Sequence, residues 1–199
     1  MGIRVKICGV RDAAGLACVL EAGADAVGCV LAPSRRRIAL PEAAALLASI
    51  PDGILRVLVL GRSRGVARER ALACAQADLV QLEGADLAGE KILPVERDGP
   101  DLEARLRKRA RRHLLVLVEG AASGRGVRPD WARVADATDA VRAPGLRIVL
   151  SGGLTPDSVG AAIRQVRPYA VDVSSGVERT LGIKDPARVR AFVTAAREA

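Results

Sequence analysis

IRVKICGVRD, residues 3–12, is an apolar run interrupted by Arg4 and Lys6 that ends on Cys8 and Gly9. Such a run predicts a strand over 3–8 that stops at the glycine, followed by a turn and a helical stretch over 12–22. The same unit recurs along the chain. Further strands are expected at 25–31 (DAVGCVL), 55–60 (LRVLVL), 78–82 (DLVQL), 91–95 (KILPV), 114–119 (LLVLVE), 147–151 (RIVLS) and 169–174 (YAVDVS). Helical patterns fall at 41–49, 64–76, 101–111, 130–141, 156–166 and 186–197, while 84–90 leaves room only for a turn or a very short helix. Near-continuous apolar strands separated by helices indicate a parallel sheet covered on its outer face. Eight such units predict an α/β chain folded as one (β/α)₈ barrel domain over residues 1–199. A doubly wound open sheet is the alternative, but no strand-to-helix turn carries the GxGxxG fingerprint.

Composition narrows the function. No apolar run approaches the ~18 residues of a membrane span, and no charged head followed by a long apolar core marks a signal peptide. Cys8, Cys18, Cys29 and Cys74 form no CxxC pair and have no histidine at ligand spacing. A disulfide framework and a metal site are therefore not expected, and a reducing, cytoplasmic setting fits. The net charge is +8, with a basic run RLRKRARR at 105–112. One Phe, one Tyr and one Trp cannot build a base-stacking platform, so the run reads as a solvated helix face and no nucleic-acid partner is expected. A positive surface also attracts a small anionic substrate. Monomer and homodimer both stay open.

In a barrel the chemistry sits at the C-terminal strand ends, which places Cys8, Glu83, Glu119, Ser151 and the stretch Asp172–Ser174 there. After the seventh strand comes LSGGLTPDSV (150–159) and after the eighth VDVSSGVE (171–178). Two consecutive polar, glycine-bearing turns at these positions match the phosphate site that barrels build from the loops after strands 7 and 8. Gly152, Gly153, Ser174, Ser175 and Gly176 are the expected phosphate-binding residues. Lys6, two residues before Cys8, falls on the same side of its strand and is expected to lower the thiol below its ordinary ~8.5.

Several of these stretches together resemble the phosphoribosylanthranilate isomerase family of tryptophan biosynthesis: VKICGV, EAGADAVGCVLAPSRRRI, VQLEG, GRGVRPDW, LSGGLTPDSVGAAI and VRPYAVDVSSGVERTLGIKDPARVRAF. The resemblance implies an Amadori rearrangement of an N-glycosidic aminoaldose phosphate to an aminoketose phosphate, with no cofactor and no metal. It implies Cys8 as the general base, Glu119 at the end of strand 6 as the general acid, and Arg37, counted from Gly28, for the substrate carboxylate. Asp172, alternating with Ser174, is expected to hydrogen-bond the bridging amine or the ribose hydroxyls.

Four features depart from the family. Glu119 stands where the family has Asp, one methylene longer. Glu83 stands where VQLHG has His, and repels an anionic substrate unless Arg or Lys neutralises it. The lysine often found late in strand 5 is replaced around Pro94. Cys29, Leu31 and Leu60 occupy positions where aromatics are usual, and RPDW (128–131) replaces Phe-Asp-Trp, which removes apolar contact for an anthranilate ring. A divergent working isomerase and a paralogue, either altered in substrate or reduced to a non-catalytic phosphosugar binder, both fit. The joint survival of base, arginine and phosphate turns favours the first. His113, at the start of strand 6, reads as structural, Asp130 as a helix cap, and Cys18 and Cys74 as packed helical thiols.

Overall fold

The structure, a computed structural model, describes residues 2–62, 76–84, 91–120, 127–141 and 145–199. Eight strands run in the order in which they occur in the chain and close into a barrel, each parallel to its neighbours: β1 (Arg4–Cys8), β2 (Ala26–Val30), β3 (Leu55–Gly61), β4 (Leu79–Glu83), β5 (Ile92–Arg97), β6 (Leu115–Glu119), β7 (Arg147–Ser151) and β8 (Ala170–Val173). Closure joins β1 to β8, with Lys6 opposite Asp172 and Ile7 opposite Val173. The helices described are α1 (Ala13–Glu21), α2 (Leu40–Ala48), α3 (Leu102–Ala110), α4 (Trp131–Val141), α5 (Pro156–Val166) and α6 (Pro186–Arg197). Each expected strand is found within about two residues of its predicted ends. The helical pattern at 64–76, Cys74, the turn at 85–90 and the Gly124–Gly126 motif lie outside the described residues.

Local chemistry starts the helices where the sequence places them. Asp12 Oδ1 accepts from the Gly15 amide at 2.7 Å, and Asp185 Oδ1 accepts from the amides of Ala187 and Arg188 at 2.9 and 3.1 Å. Asp130 Oδ1 caps α4 in the same way, accepting from Ala132 and Arg133. Period-two alternation then sorts each strand into two cores. Outward residues such as Ile7, Leu58, Leu82 and Leu150 pack under the helices, while Leu93, Val95, Leu117, Val149 and Ala170 fill the barrel's inside. Two basic residues of the 105–112 run are fastened inward, where Arg105 Nε and Arg109 Nε grip the buried Glu96 at 3.0 and 2.6 Å. Among the described residues no helix is long and apolar enough to cross a membrane.

One feature was not expected from the sequence. After β8 a single 3₁₀ turn (Ser175–Val177) leads into an antiparallel hairpin, β9 (Glu178–Thr180) and β10 (Ile183–Lys184). This hairpin brings two charged side chains back under the barrel mouth.

Phe192, the chain's one phenylalanine, is fully buried on α6. Phe192→Ala is expected to cost about 3–5 kcal/mol, which lowers the melting temperature by roughly 10 °C for a chain of this size. Thermal unfolding followed by circular dichroism checks it; an unchanged midpoint would show that this helix does not hold the outer core.

Candidate active site

A cavity of about 690 Å³ opens at the C-terminal ends of the strands. Its floor is a buried polar layer. Lys6 Nζ donates to Asp172 Oδ1 at 2.8 Å and reaches across the barrel to Gln81 Oε1 at 3.0 Å. Ser151 Oγ donates to the other carboxylate oxygen of Asp172 at 2.9 Å. All four side chains are buried, and each has a partner, as a buried polar group requires. Burial works against the Lys6 ammonium, but Asp172 outweighs it and holds the lysine above its ordinary range. The lysine is therefore a fixed cation.

Cys8 lies one pleat above Lys6, lines the cavity, and is 7% exposed. Here the expectation for the thiol is corrected. Burial pushes it up, and the opposing pull of Lys6 and Lys184 is offset in part by the nearby Asp172 carboxylate. Lys6 points where alternation placed it, yet its charge is already shared with Asp172. A buried thiol with raised proton affinity is a weak nucleophile at rest but a strong base once deprotonated. Cys29 is a different case: it faces outward into the helix-covered core, where burial drives its thiol up to about 12.

Glu119 lines the opposite wall from β6, with its Oε1 2.7 Å from Arg97 Nη1. Arg97 also donates to Glu83, from Nη2 to Oε2 at 2.8 Å and from Nε to Oε1 at 3.3 Å. Arg62 Nη2 adds a contact to Glu83 Oε1 at 2.8 Å. Burial alone would raise the Glu83 carboxyl, but the two guanidiniums outweigh it and keep it below the usual carboxylate range. The condition stated for Glu83, that Arg or Lys neutralise it, is met twice.

Gly152, Gly153, Ser174 and Ser175 all line the same cavity, as does Asp172. Gly152 and Gly153 hold φ of +101° and +62°, a region that a side chain rarely tolerates, so the turn after β7 brings bare backbone to the cavity. Gly176 is not itself on the lining. It lies back to back with the first turn, and a Cβ there would overlap the Leu154 carbonyl oxygen.

Residues 5–195 match the family described as N-(5'phosphoribosyl)anthranilate (PRA) isomerase. The chain belongs to this family. It is 41% identical over 216 residues to N-(5'-phosphoribosyl)anthranilate isomerase of Roseiflexus sp. (strain RS-1), an alignment that spans 99% of each chain. Among solved structures it resembles phosphoribosyl anthranilate isomerase from Thermotoga maritima, with TM-score 0.85 and 33% identity over 99% of this chain and 100% of that one. A phosphoribosyl anthranilate isomerase in complex with reduced 1-(o-carboxyphenylamino)-1-deoxyribulose 5-phosphate superposes with TM-score 0.82, at 33% identity and the same coverage.

Against this PRA isomerase fold, two expectations need revision. Arg37 is exposed and absent from the cavity lining; the buried guanidinium that lines it belongs to Arg36. Arg36 is buried against the cavity while Arg37 is exposed, and a count from Gly28 across a loop of no fixed phase does not separate the two. The missing aromatics also have another meaning. Cys29 and Leu60 belong to the outer core, and Leu31 packs against it. Their change from aromatic residues alters the layer between strands and helices, not the wall of the cavity, which Val30, Val59 and Val95 supply.

Gln81, Arg97, Glu178 and Lys184 were not singled out from the sequence. The signal for Arg97 was present: β5 runs two residues past its expected end, and with Val95 facing inward the pleat carries Arg97 to the same side. Arg97 does not stand in for the replaced strand-5 lysine: Pro94, between the inner-core residues Leu93 and Val95, falls on the outward phase with Glu96.

Gly176→Ala is expected to force the turns after β7 and β8 apart, because the clash is with backbone and not with a movable side-chain tip. Affinity for inorganic phosphate should fall by at least about 10-fold if those amides bind it. Isothermal titration of wild type and variant measures it, and equal affinities would remove these turns from phosphate binding.

Proposed function

We propose that this chain isomerises N-(5'-phosphoribosyl)anthranilate to 1-(2-carboxyphenylamino)-1-deoxyribulose 5-phosphate, as a cytoplasmic single-domain enzyme. The observation that carries the reading is one cavity lined by a basic thiol, a carboxyl on the opposite wall, and two glycine-serine turns on consecutive strands.

Glu119 delivers a proton to the ribose ring oxygen, the C1′–O bond breaks, and the nitrogen lone pair forms a Schiff base. Cys8, as thiolate, removes the C2′ proton, and those electrons pass to the iminium nitrogen to give an enolamine. Tautomerisation, with loss of the C2′ hydroxyl proton and gain of a proton at C1′, yields the ketone. The sequence is redox-neutral, and this chain supplies both the acid and the base, so no cofactor is called on. Asp172, fixed by Lys6 and Ser151, hydrogen-bonds the amine or ribose hydroxyls. Gly152, Gly153, Ser174 and Ser175 hold the 5′-phosphate, with Gly176 setting the spacing between the two turns. Arg36, in place of Arg37, receives the anthranilate carboxylate. Aliphatic walls from Val30, Val59 and Val95 hold the ring.

Turnover of N-(5'-phosphoribosyl)anthranilate by purified protein, read by loss of anthranilate fluorescence, tests the reading, together with growth of a tryptophan auxotroph lacking this step. Turnover and rescue are expected. Tight binding of the reduced product analogue with no turnover would instead identify a phosphosugar binder.

A further inference from the structure

We infer that Glu178 and Lys184, on the hairpin after β8, are positioning residues that make Arg36 a receptor for the substrate's aryl carboxylate. The inference rests on the reading of Arg36 proposed above.

Arg36 Nε donates to Glu178 Oε1 at 2.7 Å and Nη2 donates to Oε2 at 2.9 Å. This two-point grip fixes the guanidinium plane as a single bond could not. A guanidinium has five N–H donors, and the grip uses two, leaving the Nη1–Nη2 edge to bind another planar anion. The side chain has little other freedom: it lies across Gly9, where a Cβ would come within 2.6 Å of Arg36 Cδ. Glu178 and Arg36 are 6% and 7% exposed.

A carboxylate touching Arg36 also cancels its charge, which would defeat attraction of a second anion. Lys184 resolves this. Its Nζ, on a side chain 1% exposed, lies 3.2 Å from Glu178 Oε1 and donates to the Ser174 carbonyl at 3.0 Å. Burial lowers the lysine's proton affinity, and Glu178 works against that loss. Two cations around one anion leave a buried cluster with net charge +1, of which Arg36 lines the cavity. The Ser174 bond ties this cluster to the turn after β8, so one hairpin registers the carboxylate end of the ligand against its phosphate end. Orientation and charge are thus supplied by different residues, and each has its own test.

Two ligands separate this role from a structural one: reduced 1-(o-carboxyphenylamino)-1-deoxyribulose 5-phosphate and the same compound without its ring carboxylate. The readout is the ratio of their dissociation constants by titration calorimetry, because a disturbed phosphate turn weakens both alike and leaves the ratio unchanged. Wild type should favour the carboxylated ligand by about 10- to 100-fold. In Glu178→Gln the preference should fall by about 10-fold, and KM for N-(5'-phosphoribosyl)anthranilate should rise more than kcat falls. In Lys184→Met the preference should also fall, with a weaker dependence on salt than in wild type. If wild type shows no preference, the role given to Arg36 fails and this inference with it. If wild type discriminates and Glu178→Gln discriminates equally, the inference alone is overturned. Should Glu178→Gln lose its cooperative melt, Glu178→Asp, which keeps the charge but draws it back from Arg36, takes its place: a reduced preference supports the inference and an unchanged one overturns it.

Discussion

Replacing Cys8 with alanine is expected to lower kcat by about 10³-fold, within the 10²–10⁴ range by which positioned proton transfer accelerates a step. The size follows from the step that is lost. Removal of the C2′ proton needs a base on that face of the sugar, and the floor beneath Cys8 holds a lysine and a carboxylate already locked to each other. Alanine leaves a small apolar void and no ion pair unmet, so folding and phosphate affinity should change little. Cys8→Ser should be almost as impaired, because a hydroxyl gives up its proton far less readily than a thiol. The pH profile carries the sign. The active base is the thiolate, and burial raises the Cys8 thiol, so alkylation of Cys8 by iodoacetamide, which reads the thiolate alone, should speed up as pH rises above neutrality. Since Lys6 pulls the thiol down, Lys6→Met should move that climb to higher pH. Alkylation rates between about pH 6.5 and about pH 10.5 decide this, those limits being set about 2 units on either side of an ordinary thiol. An alkylation rate flat across that range, or Cys8→Ala at near-wild-type activity, would sink the assignment.

Glu119→Gln should show the second large loss, about 10²- to 10³-fold in kcat with KM little changed. The amide keeps the shape of the side chain but cannot deliver a proton to the ring oxygen. Arg97 is not stranded by the change, since Glu83 holds it through two further hydrogen bonds, so stability should survive. To act as an acid Glu119 must carry a proton, and protonation leaves Arg97 paired with Glu83. The guanidinium can thus release one carboxyl without losing both partners. Glu119→Asp is the sharper comparison. It retains the acid but withdraws it by about one bond length, and a displacement near 1 Å can cost on the order of 100-fold. If Glu119→Gln turns over as fast as wild type, a different group or solvent opens the ring.

Much of this molecule could be read from the chain alone, for a definite reason. A strand's pleat and a helix's turn are short-range, so IRVKIC and its seven counterparts declare themselves within a handful of residues. Cys8 at a strand end, Glu119 at another and the Ser-Gly turns after β7 and β8 follow from that same local pattern once eight units imply closure. Asp130 as a cap needed only its two neighbours. Even the outward place of Cys29 and Leu60 was implicit in the pleat, although the resemblance to aromatic-bearing relatives suggested a cavity wall.

Other features have no local signature. Arg36 could not be separated from Arg37 because the loop after β2 carries no fixed phase from the strand into the turn. The partner of Arg36, Glu178, lies 142 positions away, and Lys6 meets Asp172 across 166. Alternation says that Lys6 faces inward; it does not say which anion waits there, so it could not foresee that the lysine's charge would be spent on Asp172 and the Cys8 thiol raised. Proton affinities depend on burial and on charges a few ångströms off, and in a closed barrel those charges come from opposite ends of the chain. Local periodicity therefore laid out the scaffold and the places where chemistry would sit, while closure chose the neighbours that set each group's charge.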